Sequence, residues 1–178
     1  MSLVNLHDTV PGAPNFKYAE LIASATARAR GINNAPTERR IWDNLERVTR
    51  VAQKARSHFG VALNITSGFR SSALNTAVGG STTSHHSQGH ALDIQIGSRN
   101  PDGVTIVELF TFLHEHGIYT ELLLEEICMG GGWVHLAVAP GRESENVIGY
   151  KLRGRPVVSS RNTPGLAFEA VMKAVGAA

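Results

Sequence analysis

Ser84-His85-His86-Ser87-Gln88-Gly89-His90-Ala91-Leu92-Asp93 gathers three of the chain's eight histidines and a carboxylate just ahead of an apolar alternating run. Imidazole nitrogens and a carboxylate oxygen are the donors of a catalytic zinc site, where three protein ligands leave one position open. From His90 to Ile96 the residues alternate as a strand, with Ala91, Asp93 and Gln95 on one face and Leu92, Ile94 and Ile96 on the other. A lone carboxylate at Asp93 would be costly there, so a cation or a hydrogen-bond network has to compensate it. Pleat parity turns His90 away from Asp93. That leaves His85 or His86, and spacing does not choose between them. A second apolar run, Gly132 to Val138, sets His135 on one strand face with Trp133 and Ala137 and offers a third ligand.

Competing clusters carry less chemistry. His114 and His116 are two apart on an expected helix, so their side chains diverge. The chain has no His-Glu-x-x-His run, no Gly-x-Ser-x-Gly elbow and no glycine pattern of a phosphate loop. His7 and His58 read as surface residues.

Composition narrows the class. The 178 residues suffice for one domain with a hydrophobic core, and 42% apolar with 18% charged residues reads as globular. The net charge of +2 comes without a long Lys/Arg block, which argues against nucleic acid as partner. The single cysteine, Cys128, excludes an intrachain disulfide. The N-terminal residues lack the basic-then-apolar pattern of a signal peptide, and no apolar run is long enough to span a membrane. The expectation is a protein made soluble in the cytoplasm, with no membrane partner.

Periodicity supplies the elements. Turn signals fill residues 1–36, with a short helix expected from Tyr18 to Arg30. A long amphipathic helix follows, with Thr37 as N-cap, Ile41, Leu45, Val48, Ala52, Ala55 and Phe59 on its apolar face, and Gly60 at its end. Arg39, Arg40, Glu46, Arg47, Arg50 and Lys54 are assigned to solvated faces. Strands are expected at Val61–Ile65, His90–Ile96, Tyr119–Glu126, Gly132–Ala139, Val147–Leu152 and Pro156–Ser159, the third and fourth forming a hairpin. Helices are expected at Ser72–Val78, Val104–His116 and Pro164–Val175. These elements describe one α+β domain over residues 1–178, a small, mostly antiparallel sheet flanked by helices.

Ser84-x-His86-x-x-Gly89-x-Ala91-x-Asp93 resembles the signature of the zinc D-alanyl-D-alanine peptidase family. That family includes D-Ala-D-Ala carboxypeptidases and phage L-alanyl-D-glutamate endopeptidases, and it is similar in fold to the hedgehog domain. Ser67-Gly68-Phe69-Arg70-Ser71 resembles the family's Ser-Gly-Tyr-Arg-Ser segment, and Trp133-Val134-His135 its Trp-x-His strand. The resemblance is strongest over residues 18–139, with 140–178 as a C-terminal extension of the same domain.

The resemblance implies Zn²⁺ as cofactor, with His86, Asp93 and His135 as ligands and with Arg70 and Ser84 binding substrate. It implies a hydrolase that cuts peptidoglycan stem peptides in cell-wall degradation. The choices are an endolysin-type endopeptidase of bacteriophage kind or a D,D-carboxypeptidase. The enzyme would act as a monomer on the wall after phage lysis or from a virion. The family's general base is a carboxylate three or six residues before the last histidine ligand, and those positions here are Gly132 and Met129. Glu125, at the end of an apolar strand, is the expected base, and Glu126 the fallback. The displaced glutamate also leaves a different class open: an inactive hedgehog-like zinc module that binds the wall or a protein.

Overall fold

Apolar alternation becomes a six-stranded mixed sheet in the computed structural model, which describes residues 4–127, 131–142, 147–152, 155–160 and 164–176. A short hairpin of β1 (Thr9–Val10) and β2 (Ala13–Lys17) comes first. The sheet itself contains β3 (Leu63–Ser67), β4 (Ala91–Ile96), β5 (Glu121–Glu125), β6 (Trp133–Ala137), β7 (Val147–Leu152) and β8 (Arg155–Ser160). Their spatial order is β3-β4-β6-β5-β7-β8. Every neighbouring pair is antiparallel except β5 with β7, which is parallel. The expected hairpin of β5 and β6 is present. Cys128 and Met129 lie outside the described residues.

Among the described residues, six α-helices accompany the sheet. They are α1 (Tyr18–Ile22), α2 (Ala25–Arg30), α3 (Arg39–Phe59), α4 (Ser72–Ala77), α5 (Ile106–His116) and α6 (Pro164–Gly176). The helix expected over Tyr18–Arg30 is broken in two, because Ser24 caps a new start: its Oγ accepts from the backbone N–H of Ala27 at 3.2 Å. The N-cap of α3 is Glu38 rather than Thr37. Thr105 and Glu108 form a reciprocal capping box that starts α5.

Parity sorts the sheet into two faces. Leu92 and Ile94 of β4, Leu122 and Leu124 of β5, Val134 and Leu136 of β6, and Ile148 and Tyr150 of β7 all join the buried core. Helix α3 packs against β4 and α5, α5 against β5 and β6, and α6 against β7 and β8. The residues of opposite parity, Asp93, Glu121, Leu123, Glu125, Trp133 and His135, are therefore turned to the other face.

One assignment on α3 is overturned. Glu46, expected on a solvated face, is buried. Its Oε1 accepts from the Tyr18 hydroxyl at 2.6 Å and from Arg39 Nη2 at 3.0 Å. Burial and the adjacent Glu46 carboxylate push the Tyr18 phenol up to about 12. Arg39, two turns back on the same helix, and Tyr18 of α1 make the burial tolerable, and helical periodicity cannot show the second of these.

Candidate metal centre

A 3₁₀ turn, His85–Gln88, delivers the first histidine. Helix α3 holds this turn from outside the sheet, with Asn44 Nδ2 donating to the Gln88 carbonyl at 2.9 Å. On the inner side, the backbone N–H of Arg70 donates to the His86 carbonyl at 3.2 Å. The His86 ring is buried, with Nδ1 2.7 Å from the Gly68 carbonyl. A carbonyl only accepts, so Nδ1 carries the proton and Nε2 keeps its lone pair. Nε2 faces Asp93 Oδ1 at 3.3 Å.

Register brings in the other two residues. Asp93 of β4 pairs directly with His135 of β6, and His135 pairs with Leu123 of β5. His135 Nδ1 lies 2.9 Å from Asp93 Oδ1. Ligand atoms of His86, Asp93 and His135 all fall within 4.8 Å of one another, and all three residues are buried. The structure thus brings together the three residues that the sequence singled out. His90 is not at the cleft, as parity requires.

Asp93 divides its oxygens. Oδ1 faces the two imidazoles, while Oδ2 accepts from Arg70 Nη2 at 2.9 Å. Arg70 Nε in turn donates to Ser67 Oγ at 2.8 Å. The residue expected to bind substrate is thus anchored to the cluster itself, though a guanidinium has more donors than these two bonds use. Burial pushes the Asp93 carboxyl up, but the charges and hydrogen bonds of His86 and His135 outweigh it and hold it well below the usual carboxylate range. Burial lowers the His86 imidazole against the pull of Asp93. Burial also opposes protonation of His135, yet its hydrogen bond to Asp93 and the nearby carboxylates raise it.

A cavity of about 690 Å³ opens over the cluster, with Ser84, Glu121, Glu125, Arg142 and Lys151 in its walls. A smaller one of about 350 Å³, lined by Ser24, Thr26 and Thr66, adjoins it across Arg70 and Val78. Of the two expected glutamates, Glu125 lines the larger cavity, with Lys151 Nζ 3.3 Å from its Oε1. Glu126 does not line it, and its backbone has turned into the left-handed region at φ 58°. Gly132, one of the two positions where the resemblance leads one to expect a carboxylate, has φ 98°, and a Cβ there would meet the Glu125 carbonyl oxygen at 2.8 Å. Only glycine suits that backbone.

A family model for peptidase M15 matches residues 14–135. The chain belongs to the peptidase M15 family. A comparison with curated proteins gives no match. M15 enzymes are zinc-dependent metallopeptidases, and the donor set of this M15 chain fits such an ion. Two imidazoles and one carboxylate converge at the floor of a cleft, and the cleft leaves a direction of approach for water or substrate.

Sequence reading missed Glu121, Arg142 and Lys151 of this M15 site. Glu121 had a usable signal: it has the same strand parity as Glu125 and stands four residues from it. Arg142 and Lys151 come from segments whose approach depends on the connection after β6 and on the parallel pairing of β7. No local pattern encodes either.

Proposed function

We propose that the chain is a zinc peptidase that hydrolyses peptide bonds in peptidoglycan stem peptides, as an endolysin-type endopeptidase or a D,D-carboxypeptidase. The observation that supports it most is the convergence of His86 Nε2, Asp93 Oδ1 and His135 Nδ1 beneath a cleft that also presents Glu125. In this reading those three residues hold Zn²⁺. When bound, the ion supplies Lewis-acid chemistry, polarising a carbonyl oxygen and making water more acidic. Glu125 takes the proton of the attacking water on its carboxylate and passes it to the leaving amine. Lys151 orients that carboxylate. Arg70 and Ser84 steady the peptide from the cleft wall, and Arg142 adds positive charge suited to the carboxylates of a stem peptide.

The adjoining cavity beyond Arg70 favours a substrate that extends past the scissile bond. As part of the same proposal the enzyme works as a monomer, without nucleic acid or membrane, and reaches the wall after phage lysis or from a virion. No described helix is long and apolar enough to cross a membrane. The binding-module alternative drew on the displaced glutamate, and Glu125 on the cluster's own sheet face weakens that ground.

The experiment is digestion of purified peptidoglycan with and without prior chelation, followed by zinc restoration and mass spectrometry of the fragments. Chelation should abolish release and zinc should restore it, with fragment masses identifying the bond. Undiminished release by the chelated protein would sink the reading.

A further inference from the structure

The two imidazoles of the cluster present different nitrogens to it. His86 offers Nε2 and has its other nitrogen satisfied by the Gly68 carbonyl at 2.7 Å. His135 offers Nδ1, so its Nε2 points away, and that buried atom has no hydrogen-bond partner among the described residues. An imidazole that donates its Nδ1 lone pair to a cation carries its proton on Nε2, and a buried N–H without an acceptor is costly. The nearest carboxylate oxygen is Glu121 Oε1, 3.5 Å from His135 Nε2. Its side chain is 25% exposed on the cleft wall, so a shift of a few tenths of an ångström closes the bond without disturbing the core.

The strands explain why this carboxylate is available. Leu123 stands opposite His135 in the register, with Glu121 and Glu125 two residues to either side on the same face. The pair therefore brackets the histidine. Glu125 is paired with Lys151. Glu121 has the orphaned ring nitrogen before it.

We propose that Glu121 is a positioning residue: it accepts the Nε2–H of His135 and so fixes the tautomer that turns the Nδ1 lone pair toward His86 and Asp93. This rests on the reading of the cluster as a metal site. Outer partners of this kind orient a ligating histidine and typically change metal affinity about 10- to 100-fold when removed.

The test compares the full chain with Glu121→Ala and Glu121→Gln, using zinc itself as the probe. Zinc affinity is measured by competition with a chromogenic chelator, and the His135 tautomer by ¹⁵N-histidine NMR of the zinc-loaded proteins. Glu121→Ala should weaken zinc about 10- to 100-fold and remove the fixed Nε2–H signature. Glu121→Gln keeps an acceptor oxygen and should hold both close to the parent. Glu121→Val, a strand former without an acceptor, gives the same readout if the alanine variant does not fold. Parental zinc affinity and tautomer in Glu121→Ala would overturn the proposal. So would a Glu121→Gln protein that binds zinc normally but has lost turnover, since Glu121 would then handle the reacting proton. A parent chain that takes up no zinc would overturn the metal-site reading itself, and this inference with it.

Discussion

Arg70 Nη2 lies 2.9 Å from Asp93 Oδ2, and this ion pair leaves Oδ1 of the same carboxylate to the two imidazoles. The arginine therefore sets the plane of the Asp93 carboxylate. Arg70→Ala leaves a buried charge with one fewer partner, which costs about 3–5 kcal/mol in a fully buried pair. The Arg70 side chain is 20% exposed, so a smaller loss of about 2 kcal/mol is expected. Denaturant unfolding of the metal-free proteins measures it. Zinc affinity should fall about tenfold or more in parallel, and Arg70→Lys, which lacks the planar fork, should recover only part of both losses.

Glu125 and Glu126 are neighbours in sequence with opposite expectations. Glu125→Gln should lower kcat by about 10²- to 10⁴-fold while zinc affinity stays near the parent's. Glu126→Gln should leave kcat nearly unchanged, because Glu126 does not line the cleft. Steady-state kinetics on defined stem peptides separates the two. Equal losses from both would count against Glu125 as the base.

His90 makes stability depend on pH. Burial, followed by the charge of His85, lowers its imidazole from 6.5 to about 4. Between these values the unfolded chain binds more protons than the folded one. The contribution of neutral His90 is thus complete above about pH 6.5 and is lost as pH falls toward 4. Denaturation midpoints at pH 7 and pH 5 should differ less in His90→Gln than in the parent. An identical pH slope in the two proteins would contradict this.

Gly68 carries the carbonyl that orients His86, and it packs against the chain at Leu21. A Cβ at Gly68 would stand 2.2 Å from the Leu21 carbonyl oxygen. Gly68→Ala should destabilise by about 1–3 kcal/mol, as overpacking does. It should also weaken zinc, because the backbone must move the group that holds Nδ1 of His86. Thermal unfolding and chelator competition test the two effects separately.

Much of the sheet was legible because its signal is local. Leu92, Ile94 and Ile96 alternate with Ala91, Asp93 and Gln95, so the faces of β4 could be assigned before its neighbours were known. The choice of His86 over His85 needed the family pattern, since spacing allowed both. Glu121 shares the parity of Glu125, which the sequence shows, but its place beside His135 lies in the register of β5 against β6, a pairing no local pattern encodes. The same holds for Glu46, whose burial depends on Tyr18 from another helix. The β1–β2 hairpin escaped because β1 is only two residues long and β2, which contains Pro14, buries Ala13 and Phe16 without alternation.

Asp93, His135 and the two glutamates of the cleft stand on three adjacent strands, β4, β6 and β5. Distances among them are set across the ladder, where the chain spacing is fixed by hydrogen bonding. The connection between β5 and β6 is then free to vary in length while the reacting groups keep their places. Counting residues back from the last histidine is for that reason a poor guide to this centre. The ruler runs sideways, from strand to strand, and a related chain with a longer or shorter turn would measure the same.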